Sequence, residues 1–506
     1  MEFTKTISTQ EIRKHNTPED CWIVIDDQVW DVTNFAPEHP GGSNLILKYA
    51  GHDATTGYTE YHSPSLAKDT LPLACFKGNL DRSTIDADWK PDVVESNVTQ
   101  AAPENEKPPL DSIINAHDFE LAAAATASKK TFAFYSAAAT DCWTRDMNQT
   151  MYQRIWFRPR VLRDVADVST ATTILGMEVK VPVFICPTGL AKMINPEGEK
   201  VMARGAKSSG ILEILSTSAS HPLPDILAEA PNHPFMFQLY VNKDRAKTAA
   251  VIHSATDLGV RAIFVTVDAA GRGKRESDER LAVDEIVINP VTGQRAATDK
   301  KGGGLTRMMG SYIDQSLTWD DLAWIRSLTH LPIVLKGITN AEDAKLAMEY
   351  KVDGILLSNH GGRNLDYAPP AILLLLEMHK CCPEVFERME VFVDGGIRRG
   401  GDIVKAMCLG AKAVGIGRSF LYALNYGSEG VEHLVESTCT GLAEGSGDAD
   451  VRGVVLKDEM ESVMKLIGIK NLSEVHPGLV NTLDVDHLVP STAEHPYAKW
   501  RPRPRL

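Results

Sequence analysis

The feature that most narrows what this chain can fold into is a series of eight short β-rich runs between Pro182 and Arg418: "PVFIC", "LEILS", "FMFQLY", "AIFVTVD", "PIVLKG", "GILLSN", "EVFVDGG" and "AVGIGR". Between them lie stretches such as "PEGEKVMARGAKSSG", "NKDRAKTAAVIHSATDLG", "NAEDAKLAMEY" and "GGDIVKAMCLG", whose apolar residues recur at helical spacing. A strand that returns through a helix pairs parallel to its predecessor by a right-handed crossover. An open doubly wound sheet alternates in the same way, but eight units over about 240 residues without a clear break favour a closed α/β barrel, (β/α)8. One link departs from the rhythm, because 64 positions (332 − 268) separate Asp268 from Pro332. Its glycine-rich, basic centre, "ATDKKGGGLTRMMG", reads as an excursion near the barrel mouth.

Polar residues gather at the C-terminal ends of these runs: Thr188, Ser216, Gln238, Tyr240, Asp268, Lys336, His360 and Arg363. Each alone has an ordinary structural role open to it: Lys336 as a capped strand end, Asp268 as a helix N-cap, His360 as a turn residue. Their presence on one rim, where barrel enzymes keep their sites, argues for chemistry. The last two runs end in "VDGGIRRGGD" and "VGIGRSF", so Gly395, Gly396, Gly417 and Arg418 read as a phosphate cradle, with tight turns as the plainer explanation of the glycines. Arg363 would hold a carboxylate, His360 would take a proton, and Asp268 would raise the histidine's pKa and stabilise its cation. Lys336 would stabilise developing negative charge, and Tyr240 belongs to the same constellation. This suits oxidation of a 2-hydroxy acid, for which no side chain is an electron acceptor, so a phosphorylated redox cofactor is expected.

Ahead of the barrel, residues 1–80 mix short strands and helices in a small α+β unit, and the acidic, proline-bearing residues 81–110 read as a linker. The barrel unit is set at 111–480 and a tail at 481–506. In the small unit "PEHPGGSNL" holds His39 and "TEYHSPS" holds His62, 23 positions on (62 − 39), amid Trp30, Phe35, Leu45, Tyr58 and Leu71. Two imidazoles on loops flanking a helical pair clamp a planar metal centre, so bis-histidine haem is expected, with His52 in "AGHDA" the lower-ranked ligand. A net charge of −14 argues against nucleic acid and leaves a basic protein partner open. Eight cysteines without a C-x-x-C pair suggest neither a disulfide framework nor zinc. No run reaches the length of a membrane span, and "MEFTKTISTQEIRKHN" lacks a signal core or Arg-rich transit pattern, which leads to a cytoplasmic expectation. The mitochondrial intermembrane space and the peroxisome stand as alternatives.

With these residues in view, "EHPGG" together with His62 resembles the haem-binding module of the cytochrome b5 family. "RPRVLRDV", "FVTVD", "SNHGGR" and "VDGGIRRGGD" resemble the FMN-dependent 2-hydroxy acid dehydrogenases and oxidases, which are TIM barrels. In this order the pair resembles the flavocytochrome b2 family of cytochrome-linked L-lactate dehydrogenases, over nearly the whole chain. The resemblance implies FMN and haem b as cofactors, His39 and His62 as iron ligands, and His360 as base with Asp268 as its partner. It implies Arg363 and Arg275 as carboxylate and oxyanion groups and Tyr240 as a hydroxyl partner of the substrate. Thr188, Ser216, Gln238, Thr266 and Lys336 would contact the flavin ring, Lys336 on its N1 side, and Asp394, Gly395, Gly396, Arg398, Gly417 and Arg418 would surround its ribityl phosphate. A cytochrome c-like acceptor and a homotetramer are further implications.

Three positions depart from the lactate-type pattern: Phe134 replaces a tyrosine hydroxyl aimed at the substrate carboxylate, and Gly189 and Ser218 replace larger or more apolar residues. The lost hydroxyl weakens carboxylate binding by roughly 0.5–1.5 kcal/mol if neutral. Tyr135 is adjacent and is expected to point elsewhere. A roomier, more polar pocket suits a 2-hydroxy acid bulkier than lactate. The rival functions are an oxidase that passes electrons to dioxygen and makes hydrogen peroxide, and a non-enzymatic haem electron carrier or sensor on an inactive barrel.

Overall fold

The computed structural model describes residues 5–39, 43–59, 67–68, 71–86, 89, 107–271, 273–281, 310, 312–435 and 455–489. The chain divides into two compact units, Met1–Ala101 and Ala102–Leu506.

In the small unit five strands pair in the order Thr6–Ile7, Phe76–Leu80, Gln28–Asp31, Asp20–Ile25 and Asn16–Thr17. Ile25 pairs with Gln28 across a two-residue turn in which Asp26 and Asp27 take φ of 48° and 62°. That left-handed pair matches the twist of the flanking strands, and aspartate tolerates it. Alternation along "CWIVI" sends Cys21, Ile23 and Ile25 to one face, with Trp30, Val32 and the half-buried Phe35, Tyr58, Leu71 and Phe76. Val24 and Trp22 face the other way, with Ile7, Ile12, Val29, Leu80 and Trp89.

The small unit runs past residue 80. Trp89 is buried in its second core, Arg13 holds both oxygens of Asp86 at 3.2 and 2.7 Å, and Thr9 donates its N–H to Thr84 Oγ1 at 2.9 Å and its hydroxyl to the Thr84 carbonyl at 2.6 Å. Residues 81–86 and 89 therefore belong to this unit rather than to the expected linker. One tryptophan and two polar pairings supply burial that shows no apolar period. The barrel unit in turn begins before 111, since the Tyr426 hydroxyl donates to the Pro108 carbonyl at 2.7 Å.

The eight runs of the large unit form eight parallel strands: Val183–Ile185, Leu212–Ser216, Phe235–Leu239, Ile263–Thr266, Ile333–Ile338, Gly354–Leu357, Glu390–Asp394 and Ala413–Ile416. They close in chain order into a barrel, the eighth pairing with the first. Phe184, Phe264 and Phe392 fill the interior with Met236, Val334 and Leu356. A hairpin of Thr172–Ile174 and Met177–Val179 caps the strands' N-terminal end, where Leu175 N–H donates to Glu390 and Ile174, Met177 and Val179 join the interior core. The floor is thus apolar and plugged, which leaves the C-terminal mouth for polar groups. The expected tail also shortens: Val480–Asn481 pairs with Trp156–Phe157, and Val485 and Val489 are buried in the barrel's outer core, so residues 481–489 are part of the domain. The centre of the insertion after the fourth strand, save Gly310, lies outside the described residues. None of the seven described cysteines is in a disulfide.

Glu213, in the second strand, turns toward the helices and is buried, with Oε2 lacking a hydrogen-bond partner among the described residues, and burial raises its pKa well above the carboxylate range. A raised carboxyl pKa favours folding below the unfolded value of about 4.5 and loses that benefit as pH rises. Glu213→Gln is therefore expected to stabilise the protein near pH 7 by up to roughly 3 kcal/mol. Thermal melts at pH 4 and pH 7 check this, and the gain should be confined to the higher pH.

Candidate active site

The mouth opens into a cavity of about 730 Å³ lined by residues from all eight strand ends or the loops that follow them, together with the helices and loops that precede the barrel. The loop after the sixth strand is its most unusual part: His360, Gly361 and Gly362 follow one another at φ of 58°, 63° and 76°. A left-handed histidine is strained, and such strain persists only where neighbours over-determine it. Here Ser358 Oγ accepts the His360 N–H at 3.1 Å, and Asn359 Oδ1 accepts the Gly362 N–H at 3.1 Å. Asn359 also exchanges amide bonds of 2.9 and 2.7 Å with Asn148.

This turn aims the imidazole at Asp268, with Nδ1 at 3.1 and 3.2 Å from the two carboxylate oxygens. A carboxylate in that position assigns the proton to Nδ1 and leaves Nε2 as the basic nitrogen on the cavity side. Burial lowers the His360 pKa, Asp268 raises it, Lys336 lowers it, and the net direction is down. Asp268 acts in the expected direction, but desolvation of the cation outweighs it. Burial alone would raise Asp268, but His360 and Lys336 together pull it below the usual carboxylate range.

Lys336 is 4% exposed, donates to Ser358 Oγ at 2.9 Å and stands 3.6 Å from Asp394 Oδ2. Burial opposes its charge, yet Asp394 and Asp268 raise its pKa overall, so it stays an ammonium. Arg363 donates through Nη1 to the carbonyls of Phe134, Tyr135 and Ala137 at 3.0, 3.0 and 3.2 Å, and its guanidinium lies 5.4 Å from the Phe134 ring. Burial, then Arg275 and Arg418, push its pKa well down. An anion between these guanidinium groups would relieve that repulsion. Arg275 Nε donates to the Arg363 carbonyl at 3.1 Å, and Tyr240 lines the same cavity.

Thr188, Gly189, Ser216, Ser218, Asp394, Gly395, Gly396, Arg398, Gly417 and Arg418 also reach the wall. Gln238 and Thr266 lie behind it in a relay, Gln238 Nε2 donating to Thr266 Oγ1 at 3.0 Å while Ser216 Oγ donates to Gln238 Oε1 at 3.3 Å. Two cations are engaged differently from the sequence reading: Arg418 donates to the carbonyls of Tyr135, Gly361 and Ala137, and Arg398 pairs with Glu120 at 2.6 Å. Gly396 is required for packing, since a Cβ would lie 2.3 Å from the Asn148 carbonyl oxygen. Tyr135 does point away from the carboxylate position, its hydroxyl donating to the Leu190 carbonyl at 2.6 Å. The sequence reading missed Ser358, Cys186 and Tyr312. Only Ser358 carried a signal, as half of the polar pair that ends the run "GILLSN".

A phosphorylated flavin fits this wall. Among the described residues Asp394 Oδ1 is buried without a hydrogen-bond partner, an acceptor suited to a ribityl hydroxyl, and a Cβ on Gly417 would meet only Cys186 Cβ, at 3.6 Å. In the small unit His39 stands 5.9 Å from Phe35, on the side of the sheet's aromatic half-buried face. His52 instead hydrogen-bonds the Ala50 carbonyl at 3.0 Å and packs 5.8 Å from Trp89. His62 lies outside the described residues. Among the described residues no cluster of three His, Cys, Asp or Glu could hold a metal, and no helix is long and apolar enough to cross a membrane.

A parallel barrel with a His–Asp pair, a buried ammonium and neighbouring guanidinium groups at its C-terminal mouth is built like a barrel enzyme that takes an anionic substrate. Residues 123–482 match the FMN-dependent dehydrogenase family and residues 8–81 the cytochrome b5-like heme/steroid binding domain. The chain is a member of the FMN-dependent dehydrogenase family, with FMN serving the barrel and haem the small unit. The L-lactate dehydrogenase (cytochrome) of Wickerhamomyces anomalus is 36% identical over 97% of this chain and 82% of its own length. That of Saccharomyces cerevisiae is 38% identical over 94% of this chain and 79% of its own. A solved mutant of flavocytochrome b2 with pyruvate bound is 38% identical, covers 79% of this chain and 94% of its own, and superposes with a TM-score of 0.64. A mandelate oxidase mutant with (S)-mandelic acid is 31% identical over 73% of this chain and 98% of its own, with a TM-score of 0.60.

Proposed function

We propose that this protein oxidises a 2-hydroxy acid bulkier than lactate to its 2-oxo acid and passes the electrons one at a time through haem to a cytochrome c-like carrier. The observation that carries the reading is the His360–Asp268 pair, which leaves a neutral Nε2 facing the cavity beside Arg363 and Arg275. The two guanidinium groups hold the substrate carboxylate. His360 Nε2 takes the proton the substrate gives up, and Asp268 stabilises the imidazolium that results. Tyr240 orients the substrate hydroxyl. Lys336 faces the charge that develops during oxidation.

FMN supplies the two-electron acceptor, and haem the one-electron outlet. Thr188, Ser216, Gln238, Thr266 and Lys336 would hold the flavin ring, and Asp394 a ribityl hydroxyl. Gly395, Gly396, Arg398, Gly417 and Arg418 would hold the phosphate, the two arginines giving up some of their present partners. His39 and His62 would ligate the iron. The net charge of −14 supports a basic carrier as acceptor, and peroxide yield measured against cytochrome reduction separates this reading from the oxidase.

Bulk is supported by the wall. Phe134 is 6% exposed and brings no hydroxyl to the carboxylate, Gly189 adds no side chain, and Ser218 is short. Purified holoenzyme titrated with a panel of 2-hydroxy acids is expected to show higher kcat/KM for 2-hydroxy-3-phenylpropanoate than for L-lactate, flavin bleaching preceding haem reduction. A clear L-lactate preference removes the bulky substrate, and bleaching without haem reduction removes the electron path.

A further inference from the structure

One buried polar group beside the cavity has no use in this chemistry. Tyr312 is 8% exposed, and among the described residues its hydroxyl has no hydrogen-bond partner. Its position is fixed by the loop after the third strand: Lys243 N–H donates to the Tyr312 carbonyl at 3.0 Å, Asp314 N–H donates to the Val241 carbonyl at 2.8 Å, and Ile313 bridges Asn242. Gly310 and Ile313, on either side of it in the chain, line the cavity, as do Ser218 and Tyr240. The Ser218 hydroxyl acts to lower the Tyr312 pKa against burial, although the phenol makes no hydrogen bond within ordinary distance and angle among the described residues. Among the described residues, the groups acting on this phenol besides burial are Ser218 and Tyr240, neither of them charged.

A buried hydroxyl without a partner is costly, and a ligand group that completes its hydrogen bond recovers that cost. Selectivity of this kind is sharp, because an analogue lacking the group leaves the site unpaired. Among the described residues a charged ligand group would find no counter-charge in this corner, whereas a neutral one would lose nothing. We propose that Tyr312, with Ser218, forms a specificity corner for 2-hydroxy acids whose side chain ends in a neutral hydrogen-bonding group, a ring hydroxyl in particular. The proposal rests on the bulky-substrate reading.

The test compares 2-hydroxy-3-(4-hydroxyphenyl)propanoate with 2-hydroxy-3-phenylpropanoate in the holoenzyme. The ring-hydroxylated acid is expected to have roughly tenfold higher kcat/KM, and Tyr312→Phe to bring that ratio close to one. Ser218→Ala should lower it part of the way. Because the readout is a ratio within one enzyme, general losses of turnover or folding cancel. If turnover is too slow to measure, dissociation constants of the two corresponding 2-oxo acids, read from flavin absorbance, give the same ratio. A wild-type ratio near one, or a ratio unchanged by Tyr312→Phe, overturns the corner. L-Lactate measured alongside reports on the bulky-substrate reading alone: a preference for it over 2-hydroxy-3-phenylpropanoate removes that reading, while the ratio decides Tyr312 independently.

Discussion

His360→Gln is expected to lower the rate of substrate oxidation by roughly 10²–10⁴-fold, or about 3–5 kcal/mol of barrier, while flavin binding is retained. The glutamine keeps a polar side chain in the strained turn held by Ser358 and Asn359 but offers no basic nitrogen. Anaerobic stopped-flow reduction of the flavin measures the loss directly. The wild-type pH profile follows from the direction of the His360 shift. The base works when neutral, and its pKa lies below the ordinary 6.5 because burial outweighs Asp268. The acid limb of kcat/KM should therefore fall below pH 6.5, with activity lost as pH drops through it. Asp268→Asn removes the influence that raises this pKa, so its limb should move further toward acid. Its rate should also drop, because the imidazolium loses its counter-charge. A limb at or above 6.5, or a His360→Gln variant within tenfold of wild type, would set the assignment of the base aside.

The barrel was legible because strands buried on both faces leave continuous apolar runs, and eight of them with intervening helices admit few topologies. Polar residues at the runs' C-terminal ends marked the mouth for a related reason: within the barrel those positions would face packed phenylalanines. What stayed hidden depends on distance in the chain. Two of the three carbonyls that engage Arg418 come from Tyr135 and Ala137, 283 and 281 positions upstream, and no local pattern announces them. The direction of the His360 shift required knowing how deeply the turn is buried, which an aspartate 92 positions away does not reveal. Tyr312 follows an insertion with no period of its own, so nothing placed its phenol near Ser218. At the domain boundary a single buried tryptophan, Trp89, outweighed the composition around it.

Lys336→Met is expected to destabilise the protein by about 3–5 kcal/mol near pH 7 and to lower its flavin content. The ammonium is 4% exposed, 3.6 Å from Asp394, and one of the two groups that hold Asp268 ionised. Removing it leaves two buried carboxylates without their shared cation, and a buried charge stripped of its partner costs far more than the intact pair contributes. Asp268 has a lowered pKa in the wild type, so its share of stability is present above the unfolded value of 3.8 and is lost as pH falls. The gap between wild type and Lys336→Met should consequently be widest at neutral pH and narrow in acid, where the carboxylates protonate in both. Lys336→Arg keeps the charge but not the compact ammonium that donates to Ser358 Oγ, and should recover much of the stability without restoring flavin content. The double variant Lys336→Met with Asp394→Leu replaces the ion pair by apolar groups and should melt above Lys336→Met alone. If the single variant melts with the wild type at pH 7, or the gap does not change with pH, the lysine is not the counter-charge of these two aspartates.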